Sequence, residues 1–322
     1  MQAIVLAGGY ATRLWPVTRN RPKMLLPVGK STVIDRILYQ LEDDERITDV
    51  FVSTNERFAE AFEDHIEDIG LEKPQLSVEK TVEEDEKFGV VGALAQLVER
   101  EGLGDEDLLV VAGDNLMGFD IGEFIDHFEQ YEDPTLAAYD VGSLEKAKSY
   151  GLVQLEDDQV VDFQEKPDDP KSTLVSIACY ALPADAILFD EYLEGDNNPD
   201  EPGWFIQWLV DRGPVRAFSF DDAWYDIGEA ENYLEAVAWS LGGENMIADD
   251  ATLENTTLGK NVHVLSGAHV ENSHLEETVV FDGATIVDSD IHGSIVDRKA
   301  HVENLDLSGA LIGAHSEVAH EG

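Results

Sequence analysis

Residues 2–16 read Gln2-Ala3-Ile4-Val5-Leu6-Ala7-Gly8-Gly9-Tyr10-Ala11-Thr12-Arg13-Leu14-Trp15-Pro16. The run Ala3–Leu6 is wholly apolar, far shorter than a helix, and soon reaches two consecutive glycines. That pattern predicts a buried strand that delivers the chain into a loop. Glycines there let backbone N–H groups approach phosphate oxygens without a Cβ in the way. The same loop carries Arg13 and runs on to Arg21-Pro22-Lys23, and such cations suit a triphosphate. Two common phosphate motifs fail. Gly29-Lys30-Ser31 resembles the end of a P-loop, but Met24 stands where its first glycine belongs. Ala11 and Leu14 break the dinucleotide pattern G-x-G-x-x-G, and Thr54-Asn55 end the second strand where that fold needs an acid.

Working outward, strands are expected at 49–54, 75–79, 107–112 and 135–141. Helices between them are expected at 32–43, 57–69, 90–100 and 120–131. Thr32 and Asp35 form a capping-box pattern at the first helix, and Ile34, Ile37, Leu38 and Leu41 give it one apolar stripe. Alternating strands and helices predict an α/β fold with a mainly parallel, Rossmann-like sheet and helices on both faces. Ligands of such sheets sit beyond the carboxyl ends of the strands. The loop at 8–22 and Gly113-Asp114-Asn115 both fall there. From 151 the pattern shifts to strands at 151–155, 160–164, 174–181 and 215–220, with helices near 184–193, 203–212 and 229–241.

The tail repeats. Ile247, Val264, Val280, Val296 and Ile312 form one apolar column. Leu253, Val270, Ile286, Val302 and Val318 form a second, and Leu258, Leu275, Ile291 and Leu307 a third. The spacing is 16 residues per coil, with 17 in the first. Three inward columns describe a three-sided parallel β-helix in which each coil covers the next. The expected division is a catalytic domain over 1–242 and a β-helix over 243–322.

Charge sharpens the reading. The 322 residues hold 68 acids against 21 bases, a formal net charge of −47. Such a surface repels nucleic acid and anionic lipid, and resembles the acidic coat of proteins adapted to high salt. Yet residues 1–34 contain no Asp or Glu and carry Arg13, Arg19, Arg21, Lys23 and Lys30. A polyanionic ligand belongs at that local reversal of potential. No stretch approaches the ~20 apolar residues of a membrane span. The N-terminus lacks a signal-peptide layout, and the single Cys179 fits a reducing cytoplasm.

The string Gly8-Gly9-x-x-Thr12-Arg13-Leu14-x-Pro16, then Pro22-Lys23 and Pro27-Val28, resembles the signature of the sugar-1-phosphate nucleotidyltransferase family. Further matches follow in order: Val111-Ala112-Gly113-Asp114-Asn115, Tyr150-Gly151, Glu165-Lys166-Pro167 and Trp224-Tyr225-Asp226-Ile227-Gly228. The similarity covers about residues 1–240, and many members carry a left-handed parallel β-helix tail. The resemblance implies transfer of a nucleotidyl group from a nucleoside triphosphate to a sugar 1-phosphate, with release of pyrophosphate. It implies that Arg13 and Lys23 neutralise the triphosphate, and that Leu6, Ala7, Gly8, Gly9, Thr12, Glu84 and Gly89 bind the nucleotide. Gly151, Glu165 and Lys166 match the positions that hold the sugar phosphate. Asp114 and Asp226 match two metal-binding aspartates, whose hard oxygens suit Mg²⁺. Asp114 follows a strand and Asp226 precedes a glycine, so the sequence permits both to reach one cleft.

Some positions depart from the family pattern. Ala11 replaces the loop's usual third glycine, and Glu84 stands where pyrimidine-specific members often have Gln. An ionised Glu only accepts hydrogen bonds, which suits an N–H-rich base edge such as guanine's. The expected pair is dTTP or UTP with glucose 1-phosphate, and a GTP-dependent mannose-1-phosphate guanylyltransferase stays open. A non-catalytic regulatory nucleotide-binding paralogue is a rival, although every matched ligand is retained. Acyl transfer by a histidine between coils is another. Its candidates His263, His269, His274, His292, His301 and His315 are expected on the surface, and the tail is expected to serve self-association.

Overall fold

The computed structural model describes residues 1–79 and 89–320. They form two compact units, Met1–Gly9 with Arg36–Trp224, and Tyr10–Asp35 with Tyr225–Gly322. The phosphate-loop segment thus clusters with the tail, whereas the strand that feeds it belongs to the sheet.

The first unit is built on nine strands: β1 Gln2–Leu6, β2 Asp49–Asn55, β3 Pro74–Glu79, β4 Leu108–Ala112, β5 Thr135–Asp140, β6 Gly151–Glu156, β7 Gln159–Glu165, β8 Leu174–Leu182 and β9 Arg216–Phe220. Their order across the sheet is β3-β2-β1-β4-β8-β5-β9-β7-β6. The four strands β3, β2, β1 and β4 are mutually parallel. β8 runs antiparallel to both β4 and β5, and β7 antiparallel to β9 and β6. β5 and β9 are parallel to each other. Tracing these pairings, only β7 and β8 oppose the common direction, so the sheet is mainly parallel.

Alternate residues serve opposite faces, as the pleat requires. Ile4, Phe51, Val110, Leu136, Ala138 and Ala217 pack in one core with Val91, Leu94 and Leu97 and with Phe205, Ile206 and Leu209. The first three of those partners come from the helix Val90–Glu101 and the last three from Pro202–Val210. Ala3, Val5, Val50, Val52, Leu109 and Val111 on the other face are equally buried. Burial on both faces explains why these strands read as continuous apolar runs rather than alternating ones. The expected helix near 184–193 is instead a 3₁₀ turn at Ala184–Ala186 and a short helix, Phe189–Glu194.

In the second unit the β-helix follows the counted columns position for position. Ile247 pairs with Val264, Val264 with Val280, Val280 with Val296 and Val296 with Ile312, all parallel. The Leu253 and Leu258 columns stack in the same way. Each corner needs a residue in the left-handed region. One corner uses Asn255, Asn272, Asp288 and Asn304, another Gly267, Gly283, Lys299 and His315, and the third Asn261, Glu277, Gly293 and Gly309. Gly, Asn and Asp dominate because they tolerate that conformation best.

One expectation about this unit is corrected. His263 is buried, only 2% exposed, with Nδ1 lacking a hydrogen-bond partner among the described residues. Burial pushes its pKa down. The outward side of the first sheet is covered: Val279 and Ile295 there are fully buried. At the expected capping box the backbone N–H of Thr32 donates to Asp35 Oδ2 at 2.6 Å, and the helix begins at Asp35 rather than at 32.

Candidate functional site

In the first unit the carboxyl ends of β1 to β4 are level. Leu6 pairs with Ser53 on one side and Ala112 on the other, and Ser53 pairs with Ser77. The chain leaving β1 is then tied to both neighbours. Ala7 N–H donates to the Ser53 carbonyl at 2.7 Å, Thr54 Oγ1 to the Ala7 carbonyl at 3.3 Å, and Asn55 Nδ2 to the Gly8 carbonyl at 2.9 Å. On the other side Gly113 N–H donates to the Leu6 carbonyl at 2.9 Å. The structure therefore brings Leu6, Ala7 and Gly8 together with Asp114 at the end of the parallel strands. Thr54 and Asn55, which merely failed a dinucleotide test in the sequence, are the struts of this turn.

Asp114 is oriented by a short relay. Asn115 Nδ2 donates to Asp114 Oδ1 at 3.0 Å, and Trp224 Nε1 donates to Asn115 Oδ1 at 2.5 Å. The indole lies edge-on to Tyr150, with ring centroids 5.1 Å apart. Asn115 and Trp224 lay inside recognised strings, but only the geometry gives them a role. Glu79, at the end of β3, was not singled out in the sequence. Its Oε1 accepts from Ser53 Oγ at 3.4 Å and lies 3.9 Å from the point a Gly8 Cβ would occupy.

Gly151, Glu165 and Lys166 are also brought together. Gly151 opens β6 and pairs with Glu165 at the end of β7. A Cβ at Gly151 would fall 2.4 Å from Phe163 Cζ and 2.9 Å from Glu165 Oε2. Glu165 is 9% exposed, and its side chain has no hydrogen bond from the described residues. Burial is the main cause that raises its pKa to about 7; Lys166 opposes the shift and Glu201 adds to it. Lys166 holds a left-handed backbone, φ 44°, its N–H donating to the Tyr150 carbonyl at 3.1 Å. A non-glycine residue in that region is strained by order 1 kcal/mol, the kind of strain that clusters at binding sites. Its Nζ makes an ion pair with Glu201, the N-cap of the helix Pro202–Val210. Gly89 caps the helix Val90–Glu101 at φ 76°, where a Cβ would lie 2.4 Å from the Pro199 carbonyl oxygen. Glu84 lies outside the described residues.

The second unit holds Thr12, Arg13, Lys23 and Asp226. Thr12 and Arg13 begin a 3₁₀ turn, Thr12–Leu14, entered through Ala11 in the left-handed region. Arg13 is exposed and pairs with Glu229 at 2.9 Å. A Cβ at Gly228 would meet Arg13 Nη2 at 2.9 Å and lie 3.7 Å from Asp226 Oδ1. A side chain at 228 would make the tip of the Arg13 side chain shift from its place beside Asp226. Lys23 is buried in the turn Lys23–Leu25.

Among the described residues no group of three or more His, Cys, Asp or Glu side chains could hold a metal by itself. Asp114 and Asp226 fall in different units, and each offers the hard carboxylate oxygens that suit Mg²⁺, an ion that usually keeps several waters.

The family model described as nucleotidyl transferase matches residues 2–241. The chain belongs to the nucleotidyl transferase family. It is 28% identical over 353 aligned positions to the glucose-1-phosphate thymidylyltransferase of Streptomyces griseus, covering 99% of this chain and 93% of that one. It is 26% identical to the mannose-1-phosphate guanylyltransferase of Mycobacterium tuberculosis over 89% of this chain and 81% of that protein. The bifunctional protein GlmU of Methanocaldococcus jannaschii is 26% identical over 83% of this chain, which spans only 61% of that relative's length. Among solved structures, a UDP-glucose pyrophosphorylase in complex with UDP-glucose superposes with a TM-score of 0.62 at 22% identity, over 73% of this chain and 96% of that one. That likeness is one of fold. No helix among the described residues is long and apolar enough to cross a membrane.

Proposed function

We propose that this nucleotidyl transferase joins a nucleoside triphosphate to a hexose 1-phosphate, giving a nucleoside-diphosphate sugar and pyrophosphate. The observation that carries the reading is the turn after β1, where Ala7 N–H donates to the Ser53 carbonyl, Asn55 Nδ2 to the Gly8 carbonyl, and the N–H of Gly113, next to Asp114, to the Leu6 carbonyl. In this reading Leu6, Ala7, Gly8, Gly9, Thr12 and Gly89 bind the nucleotide. Arg13 and Lys23 neutralise the triphosphate, and Gly151, Glu165 and Lys166 hold the sugar phosphate. Asp114 and Asp226 are the Mg²⁺ ligands. The ion, when bound, screens the phosphate charges.

A phosphate oxygen of the sugar 1-phosphate attacks the α-phosphorus in line, and pyrophosphate leaves opposite. The phosphomonoester, with a second pKa of about 6, is already largely dianionic at neutral pH, so no general base is required. What the protein must overcome is repulsion between anions, by positioning and by cations. The acid-free segment 1–34 supplies those cations in a chain of net charge −47. We place the enzyme in the cytoplasm, with self-association through the β-helix.

The favoured pair is dTTP or UTP with glucose 1-phosphate, the activity named for the S. griseus relative in its thymidylyl form. One observation favours a second reading, GTP with mannose 1-phosphate. Glu79 beside Gly8 offers only acceptor oxygens when ionised, which suits the N–H donors of guanine. Pyrophosphate release measured with Mg²⁺, each nucleoside triphosphate and a panel of sugar 1-phosphates separates the two. Replacing Asp114 or Asp226 by Asn is expected to lower turnover by about 10³-fold or more, with the melting temperature preserved, because several kcal/mol of charge stabilisation is lost. Wild-type rates in those variants would remove the metal role.

A further inference from the structure

One column of the β-helix departs from the repeat. The residue that follows the first inward column, coil by coil, is Ala248, Leu265, Phe281, Asp297 and Gly313. The last three differ in every property, and each meets the phosphate-loop segment of the same unit. Arg21 Cζ lies 4.5 Å from the centroid of the Phe281 ring. Arg21 Nη2 pairs with Asp297 Oδ1 at 2.5 Å, with side chains 17% and 2% exposed. A Cβ at Gly313 would fall 2.8 Å from both Cβ and Cγ of Pro16. An aromatic face, a buried carboxylate and a missing side chain therefore stack on three successive coils to receive residues 16–21.

The loop transmits this hold. Burial pulls the Arg21 pKa down and Asp297 holds it up, so the cation depends on its carboxylate. Asp297 Oδ1 also accepts from the backbone N–H of Arg298 at 2.7 Å, which fixes the carboxylate at the corner. From Pro16 the chain runs back through Leu14, buried, whose N–H donates to the Ala11 carbonyl at 3.0 Å. Thr18 Oγ1 donates to the same carbonyl at 2.8 Å. From Arg21 it runs on directly to Lys23, whose carbonyl accepts from Leu26 N–H at 3.0 Å. At the far end Tyr233 Oη donates to the Pro27 carbonyl at 2.7 Å.

We propose that Asp297, with Phe281 and Gly313 beside it, is a positioning residue for nucleotidyl transfer: it holds the Arg13–Lys23 loop through Arg21, so the β-helix is part of the catalytic apparatus. The inference rests on the reading that Arg13 and Lys23 receive the triphosphate. A brace that only added stability would leave the kinetics unchanged wherever the chain stays folded. A positioning contact changes how the triphosphate is handled, because the loop's cations then sample more than one arrangement.

The test uses the full chain as Asp297→Asn, Arg21→Lys and Gly313→Ala, with Ile286→Val in the inner column as a packing control. Two readouts are taken below the melting temperature: steady-state kinetics for each substrate, and amide hydrogen exchange of residues 11–22 against the strand Leu108–Ala112. Asp297→Asn is expected to raise the nucleotide KM about tenfold, with the sugar 1-phosphate KM within twofold of wild type. Exchange over 11–22 should quicken about tenfold and leave the strand unchanged. Arg21→Lys, which keeps the cation, should fall between, and Ile286→Val should lower the melting temperature alone. Gly313→Ala reaches the same loop without burying a charge and decides the matter if Asp297→Asn does not fold. Loop exchange and nucleotide KM both within twofold of wild type would overturn the proposal. Absence of pyrophosphate from the wild type with every substrate pair would instead remove the functional reading, while the exchange data still show whether Asp297 holds the loop.

Discussion

The carboxylate of Glu165 stands in the space that a side chain on Gly203 would need: a Cβ built at Gly203 falls 1.6 Å from Oε2 and 2.5 Å from Cδ. Gly203 lies in the first turn of the helix Pro202–Val210, directly after Glu201 and Pro202. The obstructing atoms are the tip of a flexible side chain, so they can move.

Gly203→Ala is therefore expected to displace Glu165 rather than unfold the chain. Alanine in a helix gains ~0.5–1 kcal/mol over glycine, which offsets part of the repacking. The melting temperature should shift by only a few degrees. The KM for sugar 1-phosphate should rise roughly tenfold, the cost of one hydrogen bond to a charged group, with the nucleotide KM unchanged. Gly89→Ala is the contrast. Its φ is 76° and the obstruction is the backbone carbonyl of Pro199 at 2.4 Å, which has no rotamer to change. That variant should lose ~2 kcal/mol or more of stability, read as an earlier unfolding midpoint in urea.

What repeats is legible in this sequence, and what is met only once is not. The β-helix was legible to the residue because a fixed period of 16 identifies each inward position, and those positions pair in register. Residues 151–155 and 160–164 around Asp157-Asp158 are legible as a hairpin, which turns β7 against β6, but the direction of β8 is not legible, since a buried strand carries the same apolar pattern whichever way it runs. Glu201 and Gly203 escaped because Asp200-Glu201-Pro202-Gly203 reads as an ordinary helix start, and nothing in it points back to Glu165. One further signal is present in the sequence. Val279, Ile295 and Leu311 sit at outward positions of the first sheet, where the other two sheets put Glu271, Glu303 and Asp290. An apolar exterior on one side of a solenoid marks the side that is covered, which is also where Arg21 and Pro16 dock.

Glu165 makes the protein sensitive to pH near neutrality. Its folded pKa is raised to about 7, chiefly by burial. A raised carboxyl pKa contributes stability below the unfolded value of ~4.3, and that contribution is lost as pH rises through the folded value. Glu165→Gln, which cannot ionise, should therefore be more stable than wild type at pH 8, with the difference closing toward pH 4.5 in thermal melts. Function should titrate too. Above pH 7 the ionised group only accepts hydrogen bonds from sugar hydroxyls, and below it the group also donates. In wild type, kcat/KM for sugar 1-phosphate is expected to carry an inflection near pH 7 that Glu165→Gln lacks. Identical profiles for the two would mean that Glu165 does not meet the sugar.

Ala11 stands where related loops carry a third glycine, and its backbone is left-handed, φ 49° and ψ 46°. An L-residue with a Cβ pays ~1–2 kcal/mol for that region, and glycine pays nothing sterically. Glycine does loosen the unfolded chain by ~0.4–1 kcal/mol, so the two effects partly cancel. Ala11→Gly should stabilise the protein by ~0.5–1 kcal/mol, about 1–3 °C in melting temperature for a chain of this size. The Ala11 carbonyl accepts from both Leu14 N–H and Thr18 Oγ1, so the loop keeps its shape and the nucleotide KM should stay within twofold. Ala11→Val sets the opposite sign, because a β-branched residue resists φ > 0 more strongly. It should destabilise the loop and raise the nucleotide KM. Equal melting temperatures for all three would show that position 11 is not held left-handed in solution.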